Sequence, residues 1–322
     1  MLSKIKKTTM RLFELRNSKL EKALDKQLIL LAYAQSKVNK DLAQINDLSE
    51  VEFSVFSQWG EDGIIDWIIS QVPNIPKTFI EFGVENYLES NTRFILKSRN
   101  WQGLVIDGSE INIQEIKRQD IYWKYNLTAK CAFVDKNNIN QLLGDGCLNG
   151  EIGLLSIDID GNDYWVWQAI TCVTPSIVVV EYNAVLGDVE PVTIPYRSDF
   201  VRTKAHHSNL YFGASLPALI QLGREKGYTF IGTSSSGVNA FFIRDDLAPG
   251  VVSKICNISA YPSLFREARG PSGQLLFING GNRSEIIFDN PLVNTITNKD
   301  TSLREMREIY SAQWSLAKRR FF

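Results

Sequence analysis

Cysteine, histidine, methionine and proline are all scarce in this chain. Among 322 residues there are 4 Cys, 2 His, 3 Met and 10 Pro. The cysteines, Cys131, Cys147, Cys172 and Cys256, are scattered and form no C-x-x-C pair. That leaves no signal for a zinc ribbon or a thioredoxin-type redox motif. No apolar run approaches the roughly 18 residues of a membrane span, and no secretory pattern opens the chain. These absences lead us to expect a cytoplasmic protein with reduced thiols. The formal net charge is −1, too small to mark a nucleic-acid partner. No G-x-G-x-x-G follows any apolar run, so the pyrophosphate nest of a dinucleotide-binding sheet is missing. That argues against a nicotinamide-dependent oxidoreductase.

What is present is ordinary globular composition, 44% hydrophobic and 22% charged. Residues 1–50 differ from the rest in having no Gly, Pro or Trp. Leu24, Leu31, Val38 and Ile45 recur every seven residues, and Leu20, Gln27, Ala34 and Asp41 precede them by four. One good and one imperfect heptad seam predict a long helix that pairs with another subunit or with its own globular domain. A homo-oligomer is therefore expected. This segment carries ten Lys/Arg against six Asp/Glu. A solvated face accounts for that excess, with contact to an anionic membrane surface as the sharper alternative.

From residue 51 short apolar runs alternate with helical stretches. Strands are expected at KTFIEFGV, GLVIDGS, AKCAFVD, GLLSIDID and SIVVVEYN, with helices over 89–98, 110–118, 137–143 and 163–170. The runs are continuous rather than alternating, as in strands covered on both faces. The pattern predicts an α/β, Rossmann-like parallel sheet with right-handed crossovers. ASLPALIQLGREKG reads as an amphipathic helix, and YTFIGTSSSGVNAFFIR as a closing hairpin. Five strand–helix units and a terminal hairpin form the layout of a class I methyltransferase. We expect a helical extension over 1–50, this domain over 51–250, and a C-terminal extension over 251–322 with a final helix from about 301.

Ligands of open parallel sheets sit beyond the carboxyl ends of the strands. The first run ends in Glu81-Phe82-Gly83-Val84-Glu85, with one glycine and several acids. That suits a ligand without phosphate but with positive charge, such as S-adenosylmethionine. Gly83 lets the backbone approach such a ligand, and Glu81 can serve its amino end. The second run ends in Asp107-Gly108-Ser109. Asp107 is placed to accept ribose hydroxyls, although Asp-Gly is also a common turn. Asp135 ends the third run and either contacts adenine or caps the next helix. Upstream, Gln58 and Trp59 are candidates to cover the cofactor; core packing is the plainer account of Trp59.

The fourth run ends in Asp158 and Asp160, and the fifth in Glu181-Tyr182-Asn183. Residues two apart on a strand share a side, so Asp158, Asp160, Glu181 and Asn183 are expected to converge. Oxygen ligands of this kind suit Mg²⁺ or Ca²⁺. In the metal-free alternative one Asp holds the cofactor or substrate and the other caps the next helix. His206 and His207, the only histidines, are candidate general bases, as is Asp160.

In order along the chain, SQWGED, IEFGVENYLESNT, SIDIDGNDYW, VVVEYN and KGYTFIGTSSSGVNAFFI resemble the FkbM-like branch of S-adenosylmethionine-dependent methyltransferases, over about residues 54–245. The resemblance implies O-methylation of a sugar or glycan acceptor, with Gln58, Glu81, Gly83, Thr92, Asp107, Ser109 and Asp135 toward the cofactor. In metal-dependent sugar O-methyltransferases acids end the fourth and fifth strands, and Asp158, Asp160 and Glu181 match. Asn183 stands where a second acid is more usual. A non-catalytic scaffold is the competing reading. Arg266, Arg269 and Arg283, in the C-terminal extension, are expected either to meet an anionic sugar or phosphate or to form structural ion pairs.

Overall fold

The computed structural model describes residues 2–146 and 149–319; Cys147 lies outside the described residues. The strands are β1 (Thr78–Phe82), β2 (Gln102–Asp107), β3 (Leu127–Cys131), β4 (Gly150–Ile157), β5 (Val173–Glu181), β6 (Val192–Thr193), β7 (Tyr228–Thr233), β8 (Asn239–Arg244), β9 (Leu292–Asn294) and β10 (Lys299–Thr301). The helices are α1 (Leu2–Asp41), α2 (Glu61–Gln71), α3 (Arg93–Arg99), α4 (Glu110–Arg118), α5 (Asp120–Lys124), α6 (Ile139–Asp145), α7 (Asp163–Ala169), α8 (Arg202–Ala205), α9 (Leu216–Glu225), α10 (Ala248–Val252) and α11 (Ala312–Arg319).

The main sheet has seven strands in the order β3-β2-β1-β4-β5-β8-β7. β3 through β5 run parallel, and β8 runs antiparallel to both β5 and β7. This is a Rossmann-like α/β sheet closed by an antiparallel hairpin, as the alternating pattern predicts. Leu154, Leu155 and Ile157 of β4 and Ile177 to Val180 of β5 are fully buried. Their continuous apolar runs are explained by helices on both faces. Strand order reverses between β1 and β4, which opens a crevice at their carboxyl ends.

Several boundaries differ from expectation. β3 stops at Cys131, which pairs with Asp107; an edge strand can be paired only as far as its one neighbour extends. Asp135 is therefore not a strand-end residue. The helix expected from residue 89 begins at Arg93, because Glu81 takes the amides of Asn91 and Thr92. The final helix begins at Ala312 rather than near 301. A second sheet, β10-β9-β6, joins the segment after β5 to the C-terminal extension. Its strands of two or three residues leave no periodic signal.

The long N-terminal helix is present, but it meets the domain with a different face from the heptad seam. Ala32, Ser36 and Asn39 are buried, whereas Leu24, Leu31 and Val38 are exposed. The docking face is partly polar. Ser36 Oγ donates to Asp66 at 2.5 Å, and Arg99 pairs with Asp66 at 2.5 Å and donates to Ser36 at 2.9 Å. Asn39 adds a bond to the Val51 carbonyl at 3.0 Å. Asp66 thus joins α1, α2 and α3. No helix among the described residues is long and apolar enough to cross a membrane.

Removing Asp66 strands the half-buried Arg99 guanidinium. Asp66→Ala is expected to cost about 3 kcal/mol, with faster amide exchange concentrated in residues 25–41. Lys37→Gln, at an exposed position of α1 outside the heptad seam, should change stability by less than about 0.5 kcal/mol. Chemical denaturation and hydrogen exchange of the two variants check both outcomes.

Candidate active site

Two cavities open at the carboxyl end of the sheet. The first, about 430 Å³, lies over the ends of β1, β2, β4 and β5, with Gly83, Asp107, Phe133, Asp158 and Glu181 in its wall. The second, about 580 Å³, lies between β5, the loop before α2 and the C-terminal extension. Gln58, Glu181 and Arg202 line both, so the cavities meet at these side chains.

The centre of the site follows from strand register. Ile157 of β4 is opposite Val180 of β5. The next residues, Asp158 just past β4 and Glu181 at the end of β5, follow at the same level. Asp163, at the start of α7, completes a cluster whose carboxylate oxygens lie within 4.8 Å of one another. Although Asp158 is half-buried overall, its carboxyl group is enclosed. Burial, then the charges of Asp160 and Asp163, push it well above the usual carboxylate range. Burial, then Asp158, do the same to Glu181. Asp163 is pushed up to about 6 by burial, against the bonds it receives from the Ile159 and Gly161 amides at 2.8 and 2.9 Å. Glu181 Oε2 is buried without a hydrogen-bond partner.

Asp160 lines the same cavity but stands outside the three-acid cluster. β4 ends at Ile157, and Asp160 adopts a left-handed φ of 54°. The strand alternation is broken there, and the Asp160 carboxylate points to Arg202, with which it forms an ion pair. Arg202 also donates to the Asn209 carbonyl at 2.7 Å and lies 3.8 Å over the Phe212 ring. Asn183 does not join the acids either. Its amide donates to the carbonyls of Leu210 and Phe212 and accepts from the Val185 amide. These bonds shape the chain after β5.

The other expected residues divide into those in the first cavity and those behind it. Glu81 is in the wall, yet its oxygens receive Ser90 Oγ, both Thr92 donors and the Asn91 amide. It fixes the 90–92 loop. Thr92 is fully buried behind that wall, bonded to Glu81 and Tyr87. Gly83 has a φ of 72°, and a Cβ there would fall 1.6 Å from the Asp158 carbonyl oxygen. Glycine is therefore required by the approach of the chain after β4, before any ligand is considered. Asp107 faces the cavity while accepting from the amides of Glu85 and Ser109 at 2.8 Å. Ser109 caps α4. Asp135 accepts from the Asn137 and Asn138 amides, so its role is the turn into α6; Phe133 and Val134 line the cavity in its place. His206 and His207 line neither cavity. Their rings pack at 4.2 Å, and His206 bonds Ser208 Oγ at 2.7 Å in a local turn. Neither is placed as a base. Trp59 is not in the core: it is 39% exposed and stacks on Phe265 at 4.7 Å.

Sequence reasoning missed Arg202, Asn239 and Asn162. Arg202 reaches Asp160 across 42 residues, a separation without local signal. Asn239, on β8, donates to Glu61 at 3.0 Å and leaves its Oδ1 buried and unpaired. Asn162 Oδ1 is likewise unpaired. Both residues line the first cavity, as does Glu181. Three residues of this wall therefore each carry a buried acceptor without a partner. It also carries seven acidic residues against one arginine among the described residues. The excess of acid gives the wall an electrostatic preference for positive charge.

No protein-family model matches the sequence, and no curated protein matches it. Solved structures of similar shape include an S-adenosylmethionine-dependent methyltransferase from Clostridium acetobutylicum ATCC 824. It is 11% identical, with 57% of this chain and 90% of that one covered and a TM-score of 0.38. The N-terminal domain of EvdMO1 with SAH bound is 10% identical, covering 59% and 81%, with a TM-score of 0.37. An O-methyltransferase family protein from Burkholderia thailandensis is 11% identical, covering 69% and 59%, with a TM-score of 0.36. At these levels the fold assignment rests on the strand order itself.

The raised acids have a consequence for stability. A carboxyl whose folded value lies above its unfolded value favours the fold at low pH and opposes it once ionised. In metal-free buffer, Glu181→Gln is therefore expected to unfold at a higher temperature than the parent at pH 8, and at nearly the same temperature at pH 4. A melting difference independent of pH would contradict the assignment of the raised values to this cluster.

Proposed function

We propose that this chain is an S-adenosylmethionine-dependent O-methyltransferase of the FkbM-like branch, acting on a sugar hydroxyl in glycan biosynthesis. The observation that carries the reading is the acid-walled first cavity, with orphaned acceptors on Asn162, Glu181 and Asn239, meeting a second cavity at Glu181. S-adenosylmethionine fits that wall because its sulfonium and ammonium groups are cationic and it has no phosphate; when bound it supplies an electrophilic methyl group. Gly83, Asp107 and Phe133 would hold the nucleoside. Asn183 in this reading shapes the acceptor side.

In the second cavity the stacked Trp59 and Phe265 offer an apolar face to a sugar ring. Positioning an acceptor hydroxyl beside Glu181 contributes much of the rate in a displacement of this kind. Glu181, at the junction of the two cavities, would take the hydroxyl proton, with Asp158 sharing the resulting charge. Asp160 orients Arg202. The oxygen-only set Asp158, Asp163 and Glu181 also suits Mg²⁺ better than zinc. Such an ion, when bound, acidifies a coordinated hydroxyl.

Calorimetric titration should show S-adenosylmethionine binding. Glu181→Ala should retain that binding within a few-fold while transfer to sugar acceptors, read by mass spectrometry, falls by roughly 10²–10⁴-fold. In thermal melts Mg²⁺ should add a further shift that disappears in Asp158→Ala. Absence of cofactor binding would sink the reading, and a chelator-insensitive activity would remove the metal from it. Self-association belongs to the same proposal, through the exposed heptad positions of α1. Light scattering should report a dimer that Leu24→Glu with Leu31→Glu converts to monomer.

A further inference from the structure

The second cavity has an electrostatic character opposite to the first. Four arginines line it, Arg202, Arg266, Arg269 and Arg283, against two glutamates, Glu181 and Glu267. Arg202 is paired with Asp160 and Arg269 lies 3.9 Å from Glu267. Neither Arg266 nor Arg283 has a carboxylate within ion-pair distance among the described residues.

Arg283 is the unusual one, since it is only 4% exposed. Its Nε donates to the Gly280 carbonyl at 2.9 Å, and Nη2 to the carbonyl and Oγ of Ser263 at 3.0 Å each. These bonds orient the guanidinium without neutralising it, and leave Nη1 without a hydrogen bond to the described residues. Glu267 acts on it only from beyond ion-pair distance, and a buried cation without a paired carboxylate is expensive. Arg93, comparably buried, differs in two respects: it lies over the Phe56 and Tyr87 rings and lines neither cavity. Arg266, over the Phe277 ring at 5.4 Å, places a second uncompensated cation on the same cavity. Burial draws Arg283 down only to about 10, so it is charged at neutral pH.

We propose that the acceptor carries an oxyanion, a carboxylate or a phosphate, that is bound by Arg283 and Arg266 in the second cavity while its sugar ring rests on the Trp59–Phe265 stack. This names the acceptor class of the site described under the proposed function and rests on that reading for the word acceptor. The anion site itself does not require methyl transfer. The fork of donors on a guanidinium matches either oxyanion bidentately, and a neutral sugar would leave the Arg283 charge unanswered.

The test uses the full chain saturated with S-adenosylhomocysteine, so that failure of that first titration reports on the cofactor reading alone. Glucuronate, glucose 1-phosphate and glucose are then titrated in turn, with the same three probes repeated without the cofactor product. At least one anion should bind at least about tenfold more tightly than glucose, and its affinity should fall as salt is raised. Tighter glucuronate binding assigns a carboxylate, tighter glucose 1-phosphate binding a phosphate, and either supports the proposal. Arg283→Gln should lose about tenfold or more for the anion, leave S-adenosylhomocysteine binding unchanged, and recover in part as Arg283→Lys. If Arg283→Gln does not fold, Arg266→Gln, at an accessible position, should still weaken the anion several-fold. Equal affinity for glucose and both anions, or an unchanged affinity in Arg266→Gln and in a folded Arg283→Gln, would overturn it.

Discussion

Two carboxyl groups leave neighbouring parallel strands at the same level, and the rest of the site is organised around that juxtaposition. Because Ile157 pairs with Val180, Asp158 and Glu181 cannot avoid one another. Asp163 adds a third acid within 4.8 Å. Isolated like charges in an enclosed space keep a proton or acquire a cation. The fold meets this with the amides of Ile159 and Gly161 on Asp163 and with Arg202 drawn toward Asp160, yet Glu181 Oε2 is left without a partner. The remaining compensation must come from outside the protein or from a bound proton.

The same asymmetry explains the division of the crevice. Toward β1 and β2 the walls are acidic, and toward the C-terminal extension they carry arginines. The extension adds both the Arg266 and Arg283 cations and the Phe265 ring that stacks on Trp59. It is tied to the sheet side by β9 pairing with β6 and by Tyr310 donating to the Val185 carbonyl at 2.9 Å. A cationic ligand and an oxyanion-bearing one would then occupy adjoining spaces with little competition, meeting at Glu181.

Much of the sheet was legible because parallel strands are continuous apolar runs, and the closing hairpin stood out by its Ser/Gly turn. Asp158 and Glu181 were legible as strand-end residues for the same reason. Asp160 was misplaced because a left-handed residue breaks the two-residue period that the expectation used. Asp135, Ser109 and Thr92 cap turns or pin loops; polar residues near strand ends serve both purposes, and local sequence does not distinguish them. The histidines were singled out for their chemistry alone, and their position depends on a loop with no periodic signal. Arg202 and Asn239 escaped because their partners are remote in the chain. The heptad in α1 correctly marked a helix, but its docking face is set by Ser36, Asn39 and Asp66, polar contacts that a hydrophobic pattern does not register.

The account turns on the protonation of the Asp158–Glu181 pair before a cationic ligand arrives. Titration of S-adenosylmethionine into metal-free protein at pH 7, in buffers of different ionisation enthalpy, measures this directly. The account predicts a buffer-dependent heat corresponding to net proton release, which is lost in Glu181→Gln. Binding with a heat independent of buffer, or no binding, would contradict it.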